Sequence, residues 1–379
     1  MTDPKKIFIA IISIVSLIAI IIWGHFLFVY ETTSNPQQAV ETKSGHVEKT
    51  PLPVRYKHIS TDIGGNRQEI DVLEVDLSKG KAVICPALSH DGLFGFEELS
   101  FITARHNAYA ATNAGFFYEY GDPSGMVAID GRIITESTGR FPVFTIKDQR
   151  AQLTQVENEI HMLHNENKIN ISKLNRMGVE GNVILYTSDF GIDNRAGIPN
   201  TSIIIDNNKV IEVVKTTTST KIPKSGMVLT FYEPYSYDFN LVPIKKGDKM
   251  EMVCIPEITQ DMQAYECGSW LVKGGTNVAP DRDDWVGLLT NRDPRTAVGI
   301  RPDGIVVLMT IDGRQPGYSV GVSAKELADY IINYGVRDAA MLDGGASTQM
   351  IVKGKIMNRP SFNGQERPLG GALLIKITD

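Results

Sequence analysis

"IVVLMTIDGR" (residues 305–314), "SAKELADYIINYG" (323–335) and "AAMLDGGAST" (339–348) decide between them how this chain folds. The first and last are apolar runs of strand length that each stop on an acid, Asp312 and Asp343. The middle run carries helix signals at both ends. Ser323 and Glu326 have the spacing of a capping box, and Gly335 supplies the stop. Between them Leu327, Ala328, Ile331 and Ile332 recur at helical spacing and make one apolar face. Strand, helix, strand in one sheet requires a crossover between parallel strands, which brings both strand ends to the same edge. Asp312 and Asp343 are therefore expected at the carboxyl edge, where open α/β sheets bind their ligands. The glycines after Asp343 would leave bare backbone for a ligand to approach closely.

Outward from this core, apolar runs of strand length continue from Arg55 onward. "DVLEVDL", "KAVICPAL", "NVILYTS", "SIIID", "KVIEVV" and "MVLTFY" are separated by Gly, Asp and Asn. Helical patterns are few, and there is no internal repeat, low-complexity tract or heptad. The expectation is a mixed α+β, strand-rich domain over residues 55–379, built on a mixed twisted sheet with few helices. Ahead of it, residues 31–54 are polar and punctuated by proline, which reads as a stalk. At the start, Lys5 and Lys6 precede an apolar run from Ile7 to Tyr30 that ends in Trp23, Phe26, Phe28 and Tyr30. A bilayer core needs about 20 apolar residues as a helix, and a cleaved signal has a shorter apolar region with a small-residue cleavage site. The segment 1–30 is thus read as a cytoplasmic tip and a single transmembrane signal anchor, with the N-terminus cytoplasmic and the domain outside.

Composition narrows the function. A formal net charge of -6 and a pI near 5.7, with no Lys/Arg cluster, argue against a nucleic-acid partner. The three cysteines, Cys85, Cys254 and Cys267, offer neither a CxxC pair nor a disulfide framework, although a Cys254–Cys267 bridge stays open. "NEIHMLHNENKIN" reads as a solvated polar stretch, so His161 and His164 are not assigned a metal. No nucleophile elbow, HExxH, Walker loop or GxGxxG is present. The available chemistry is carboxylates, arginine, asparagine and backbone amides. It suits sugar or phosphate ester hydrolysis better than acyl transfer.

Four glycine-containing motifs carry that chemistry. In "TNAGFF", Asn113 offers donor and acceptor beside Gly115, with Phe116 and Phe117 following. "GSWLVKGG" sets Gly268 before Trp270 and Gly274–Gly275 after it, and a hairpin is its plain alternative. In "DPRTAVGI", strand alternation puts Arg295 on one face with Ala297 and Gly299, leaving space before a guanidinium whose planar fork suits phosphate. "LDGGAST" supplies Asp343, Gly344, Gly345, Ser347 and Thr348.

Taken in order, "NAGFF", "GSWLVKGG", "DPRTAVGI", the "DG" at Asp312, "LDGGAST" and "ERPLGGALL" resemble the phosphodiester glycosidase family over roughly residues 90 to 379. Membership would imply a mixed α/β fold whose strand-edge loops form the pocket. It would also imply hydrolysis of the bond between a sugar anomeric carbon and a phosphodiester oxygen. Matched residue by residue, the resemblance names Asn113, Gly115, Gly268, Arg295, Asp312, Asp343, Gly344, Ser347, Thr348 and Arg367. Combined with the strand-edge reading, it casts Asp343, Asp312 and Arg295 as catalytic and the others, with Gly345, as substrate-binding. No cofactor is required, although an Asp pair could also hold a divalent cation. The sequence departs from the pattern at Ala346, where the family usually has a third glycine, and it matches poorly from about 150 to 265. The expected partners are a carbohydrate or sugar-phosphate substrate and, through the anchor, the membrane. An envelope or exopolysaccharide glycan is the expected substrate. An ordinary glycosidase on the same fold and a non-catalytic polysaccharide-binding subunit are the alternatives.

Overall fold

The computed structural model describes residues 52–378; the expected anchor and nearly all of the expected stalk lie outside them. Among the described residues no helix is long and apolar enough to cross a membrane. As expected, the domain is strand-rich with few helices. Among the described residues the two α-helices are Leu99–Arg105 and Ala324–Asn333.

The sheet that carries the site has seven strands. Across it they run Val54–Ile63, Asn66–Val75, Val306–Ile311, Arg295–Ile300, Asp338–Met341, Trp270–Lys273 and Thr276–Asn277. The Arg295–Ile300 strand lies between Val306–Ile311 and Asp338–Met341 and is antiparallel to both. Those two strands therefore run parallel to each other, as the strand–helix–strand reading requires. They are not adjacent, however, because the intervening strand takes up the ladder hydrogen bonds of both. The expected mixed sheet is corrected accordingly. Every pair in this sheet is antiparallel, and parallel pairing among the described strands is confined to Lys173–Leu174 against Val183–Thr187.

The crossover helix forms as its end signals specify. The Ser323 hydroxyl accepts from the Glu326 amide, and the Glu326 carboxylate accepts from the Ser323 amide at 2.9 Å. At the other end Gly335 has a φ of 92°, and the Val336 and Gly335 amides donate back to the Ile331 and Ile332 carbonyls. That pairing is a Schellman stop, which needs a left-handed residue. Leu327, Ala328 and Ile331 are buried against Ile70, Val72, Ala297, Val307 and Met309 of the sheet, with Ile332 partly buried beside them. Gly274 and Gly275, with φ of 59° and 80°, make the tight turn between Trp270–Lys273 and Thr276–Asn277, so "WLVKGGTN" is the plain hairpin.

A second sheet, of five strands, runs in the order Lys355–Ile356, Met350–Val352, Ala110–Asn113, Gly371–Ile377 and Ala82–Leu88. Residues 342–349 therefore carry the chain out of the first sheet and into the second. The "EIHMLH" part of the stretch read as solvated and polar is instead the strand Glu159–His164, in which His161 and His164 are buried. Alternation buries Ile160 and Met162 in the core, and the His164 ring meets Asp248 at 2.8 Å. The three cysteines are free.

Candidate active site

Two strand ends from different sheets meet at Asp343. The Ala110–Asn113 strand ends beside it, and the Asp343 amide donates to the Ala114 carbonyl at 3.0 Å. Asn113, almost fully buried, donates from Nδ2 to the Asp343 carbonyl at 2.6 Å, and its Oδ1 accepts from the Thr296 hydroxyl at 2.9 Å and the Gln349 amide at 3.2 Å. Asn113 thus braces the backbone of the acid's turn and spends its polar atoms doing so. Thr348, also buried, joins the same network through Thr296 at 3.3 Å.

The turn itself requires its glycines. A Cβ on Gly344 would lie 2.9 Å from the Pro294 carbonyl oxygen, and Gly345 sits at φ 59°, with its amide donating to that same oxygen at 2.8 Å. The Asp343 carboxylate accepts from the Gly344 amide at 2.9 Å and from the Ser347 hydroxyl, and the Arg367 guanidinium lies nearby. Arg367 in turn donates to the Ser347 hydroxyl at 2.9 Å. Burial pushes the Asp343 carboxyl up to about 6, against the opposing pull of Ser347, Arg367 and the Gly344 amide.

These groups open on a cavity of about 240 Å³, lined among others by Asp343, Arg367, Arg314, Asp293, Phe116 and Trp285. Trp285 is set in the loop between the two short strands Arg282–Asp283 and Gly287–Leu288. Asp283 fixes that loop, accepting from the Ser269 amide at 3.0 Å on one oxygen and from the Trp285 amide at 2.7 Å on the other. The Trp285 ring stacks on Phe116 at 6.2 Å between centroids. In the same lining, Arg314 is held by Asp293 at 2.8 Å. An arginine-lined pocket with an aromatic side suits a sugar bearing an anionic phosphate.

Of the remaining residues singled out in the sequence, Arg295 alone borders the cavity. Gly115 and Gly268 are demanded by packing, since a Cβ would come within 2.5 Å of the Glu266 carbonyl oxygen and 2.7 Å of the Phe116 ring respectively. Arg295 borders the cavity but does not project into open space. It is 2% exposed, its Nε donates to the Val322 carbonyl at 3.1 Å and its Nη2 to the Asn291 carbonyl at 2.9 Å. The room expected along its strand face is filled, for a Cβ on Gly299 would lie 2.6 Å from the Val336 side chain. Burial pulls the Arg295 guanidinium below its ordinary value, with Asp293 opposing.

Asp312 ends its strand at the same edge as Asp343 but faces the other side of the sheet. Ile311 is paired with Arg295, and Ala297 with Met341, so alternation sets Asp343 level with Arg295 and leaves Asp312 one residue out of phase. Its carboxylate, almost fully buried, accepts from Asn358 Nδ2 at 2.9 Å, the Arg359 amide at 2.8 Å and the Tyr318 hydroxyl at 3.3 Å. Burial raises it to about 6 as well. The two acids therefore do not share a cleft or form a paired ligand set, and among the described residues no group of three or more His, Cys, Asp or Glu is placed to hold a metal ion. The reading of the sequence passed over Trp285, Arg314 and Asp293. Arg314 lies two residues beyond Asp312 in "IDGR" and Asp293 opens "DPRTAVGI", but no local signal turned either toward Asp343.

Comparison with known proteins places the fold. A solved structure of a hypothetical protein from Synechocystis superposes with a TM-score of 0.74 at 16% identity, covering 86% of this chain and 62% of that one. A solved structure from Burkholderia pseudomallei K96243 gives 0.67 at 23% identity, covering 82% of this chain and 74% of its own. In sequence, the SPbeta prophage-derived uncharacterized protein YomE of Bacillus subtilis (strain 168) is 35% identical over 116 residues. That is 31% of this chain and only 18% of YomE's length. Residues 199–376, which hold Arg295, Asp312, Asp343 and Arg367, match the model of the phosphodiester glycosidase family, so the family resemblance carried by the motifs is shown over that segment.

Proposed function

We propose that the domain is a hydrolase that cleaves a sugar-1-phosphodiester bond in an envelope or exopolysaccharide glycan, held outside the cytoplasm by the apolar segment 7–30. One observation carries the reading: Asp343, Arg367, Arg314 and the Phe116–Trp285 wall line one cavity. With its carboxyl at about 6, Asp343 is largely ionised at neutral pH and available at the anomeric carbon. Arg367 and Arg314 hold the phosphate, and the aromatic wall packs the sugar face. Water oxygen ends on the anomeric carbon, the bond from that carbon to the phosphate oxygen breaks, and the phosphomonoester leaves. Phosphate is a weakly basic leaving group, so little protonation by an acid is needed. Whether Asp343 attacks directly or deprotonates the water is read from stereochemistry, with retention for the first and inversion for the second.

The test is a screen of the purified full chain against sugar-1-phosphodiesters, reading released sugar and phosphomonoester separately. Equal release of both supports the reading. Retention of a glycan with no release would make the domain a binding module, in which Asp343→Asn changes affinity and no rate.

A further inference from the structure

The cavity at Asp343 is small for its proposed task. Ligand cavities commonly run from roughly 300 to 1,000 Å³, and this one measures about 240 Å³. It has room for a sugar and its phosphate, and little for the group on the far side of that phosphate. A second cavity, of about 480 Å³, begins one ring away. Its wall includes Tyr118, whose ring meets Trp285 edge-on at 5.8 Å, and Arg140, whose guanidinium lies 6.0 Å from the Trp285 ring centre. Trp285 itself faces the first cavity, so the Trp285–Tyr118–Arg140 cluster is the partition between the two.

The second cavity is basic. Arg140, Lys173 and Arg176 line it against one carboxylate, Glu136, in a chain whose net charge is -6. Arg176 is anchored, donating to the Pro123 carbonyl at 2.6 Å, pairing with Asp122 at 3.2 Å and Glu136 at 3.6 Å, and lying 5.5 Å from the centre of the Tyr118 ring, so Arg140 and Lys173 are the cations left to a ligand. Arg140 and Lys173 are held loosely. Arg140 pairs with the exposed Asp284 at 2.6 Å, and Lys173 approaches Glu136 at 3.5 Å with its side chain 55% exposed. Exposed pairs of this kind are worth little and yield readily to a ligand anion.

We infer that this second cavity is an anion subsite for the next phosphate of the substrate, so that the enzyme acts on a chain of sugars joined by recurring phosphodiesters. The inference rests on the proposed function. From Trp285 to Tyr118 and from Tyr118 to Arg176 the steps are 5.8 and 5.5 Å, on the scale of one sugar ring each. An anion bound beside Lys173 lies on the far side of the Trp285–Tyr118–Arg140 partition from the phosphate held by Arg314 and Arg367.

The experiment compares two substrates on the full chain: a sugar-1-phosphate methyl diester, with one phosphate, and an oligomer of at least three sugars joined through 1-phosphodiesters. Wild type should show kcat/KM at least about tenfold higher for the oligomer, the scale of one added charge-assisted contact. Lys173→Glu should abolish that preference and leave the methyl diester unchanged, and Lys173→Arg should restore it. Asn182→Asp, which adds an anion to the same cavity wall without removing a cation, should also lower the preference. No preference in wild type, or a preference that survives both charge changes, overturns the inference. If neither substrate is cleaved, calorimetric titration of the Asp343→Asn chain with the oligomer separates the two ideas. Binding that weakens with salt and is lost on adding Lys173→Glu keeps the subsite and removes the hydrolase, whereas no binding removes the subsite.

Discussion

Asn113 and Asp343 are 230 residues apart in sequence and joined by a 2.6 Å hydrogen bond from the amide side chain to the backbone carbonyl. That bond ties the end of a strand in one sheet to the turn that leaves the other. Asn113→Ala would leave the Asp343 carbonyl, the Thr296 hydroxyl and the Gln349 amide without this partner. At 1–3 kcal/mol for each buried group left unpaired, and with some relaxation, chemical denaturation should show a loss of roughly 2–4 kcal/mol. Activity should fall further than the unfolded fraction accounts for, since the turn that aims Asp343 loosens.

Asp343→Asn should abolish hydrolysis while the domain stays folded. A carboxyl raised to about 6 binds its proton more tightly in the folded state than in the unfolded one. Its contribution to stability is therefore present at low pH and lost as pH rises from the ordinary carboxylate range through about 6. Activity runs the opposite way, because the ionised form is the working one. kcat/KM should rise with pH to a plateau, with a midpoint near 6. Asp312 is raised to a similar value but faces the other side of the sheet, so Asp312→Asn should keep that limb. A profile that flattens in Asp312→Asn and survives in Asp343→Asn would reverse the assignment.

Arg367→Gln should displace the same limb upward. The guanidinium favours the ionised Asp343, and without it a higher pH is needed for ionisation. A fall in kcat/KM with the midpoint unmoved would mean that Arg367 touches substrate alone.

Arg295→Lys is expected to act on stability. Lysine keeps the charge but cannot reach the Val322 and Asn291 carbonyls with two fixed donors. The cost should be roughly 2–4 kcal/mol in denaturation, with turnover of phosphodiester and phosphate-free substrates falling together. A loss confined to phosphodiesters would return Arg295 to phosphate recognition.

Trp285→Ala should raise KM by roughly three- to tenfold, the range of an aromatic contact worth 0.5–1.5 kcal/mol, and leave kcat nearly intact. An effect on kcat of the same size would place the ring at the reacting centre.

The local features of this chain were legible because they are written in neighbouring residues. Ser323 and Glu326 are three apart, Gly335 follows the last helical turn, and the adjacent pair Gly274–Gly275 follows the apolar run "WLV", so capping, stop and hairpin need no tertiary information. Strand, helix and strand likewise carried Asp312 and Asp343 to one sheet edge. Of the residues named from the motifs, Arg295, Asp343, Gly344, Gly345 and Arg367 border the cavity. What the tertiary structure decided is which face each side chain takes and what already fills the space before it. The Arg295–Ile300 strand enters between the two parallel strands and sets Asp312 and Asp343 one residue out of phase, a matter of register that no single strand records. Val336 arrives from beyond the helix to fill the room before Gly299, and the Val322 and Asn291 carbonyls occupy the Arg295 fork. Trp285 and Arg314 reach Asp343 only because separate loops close on one cavity. Alternation and capping act over two to four residues and can be read from sequence. Register, occupancy and convergence are set by packing between distant segments, and those belong to the folded chain.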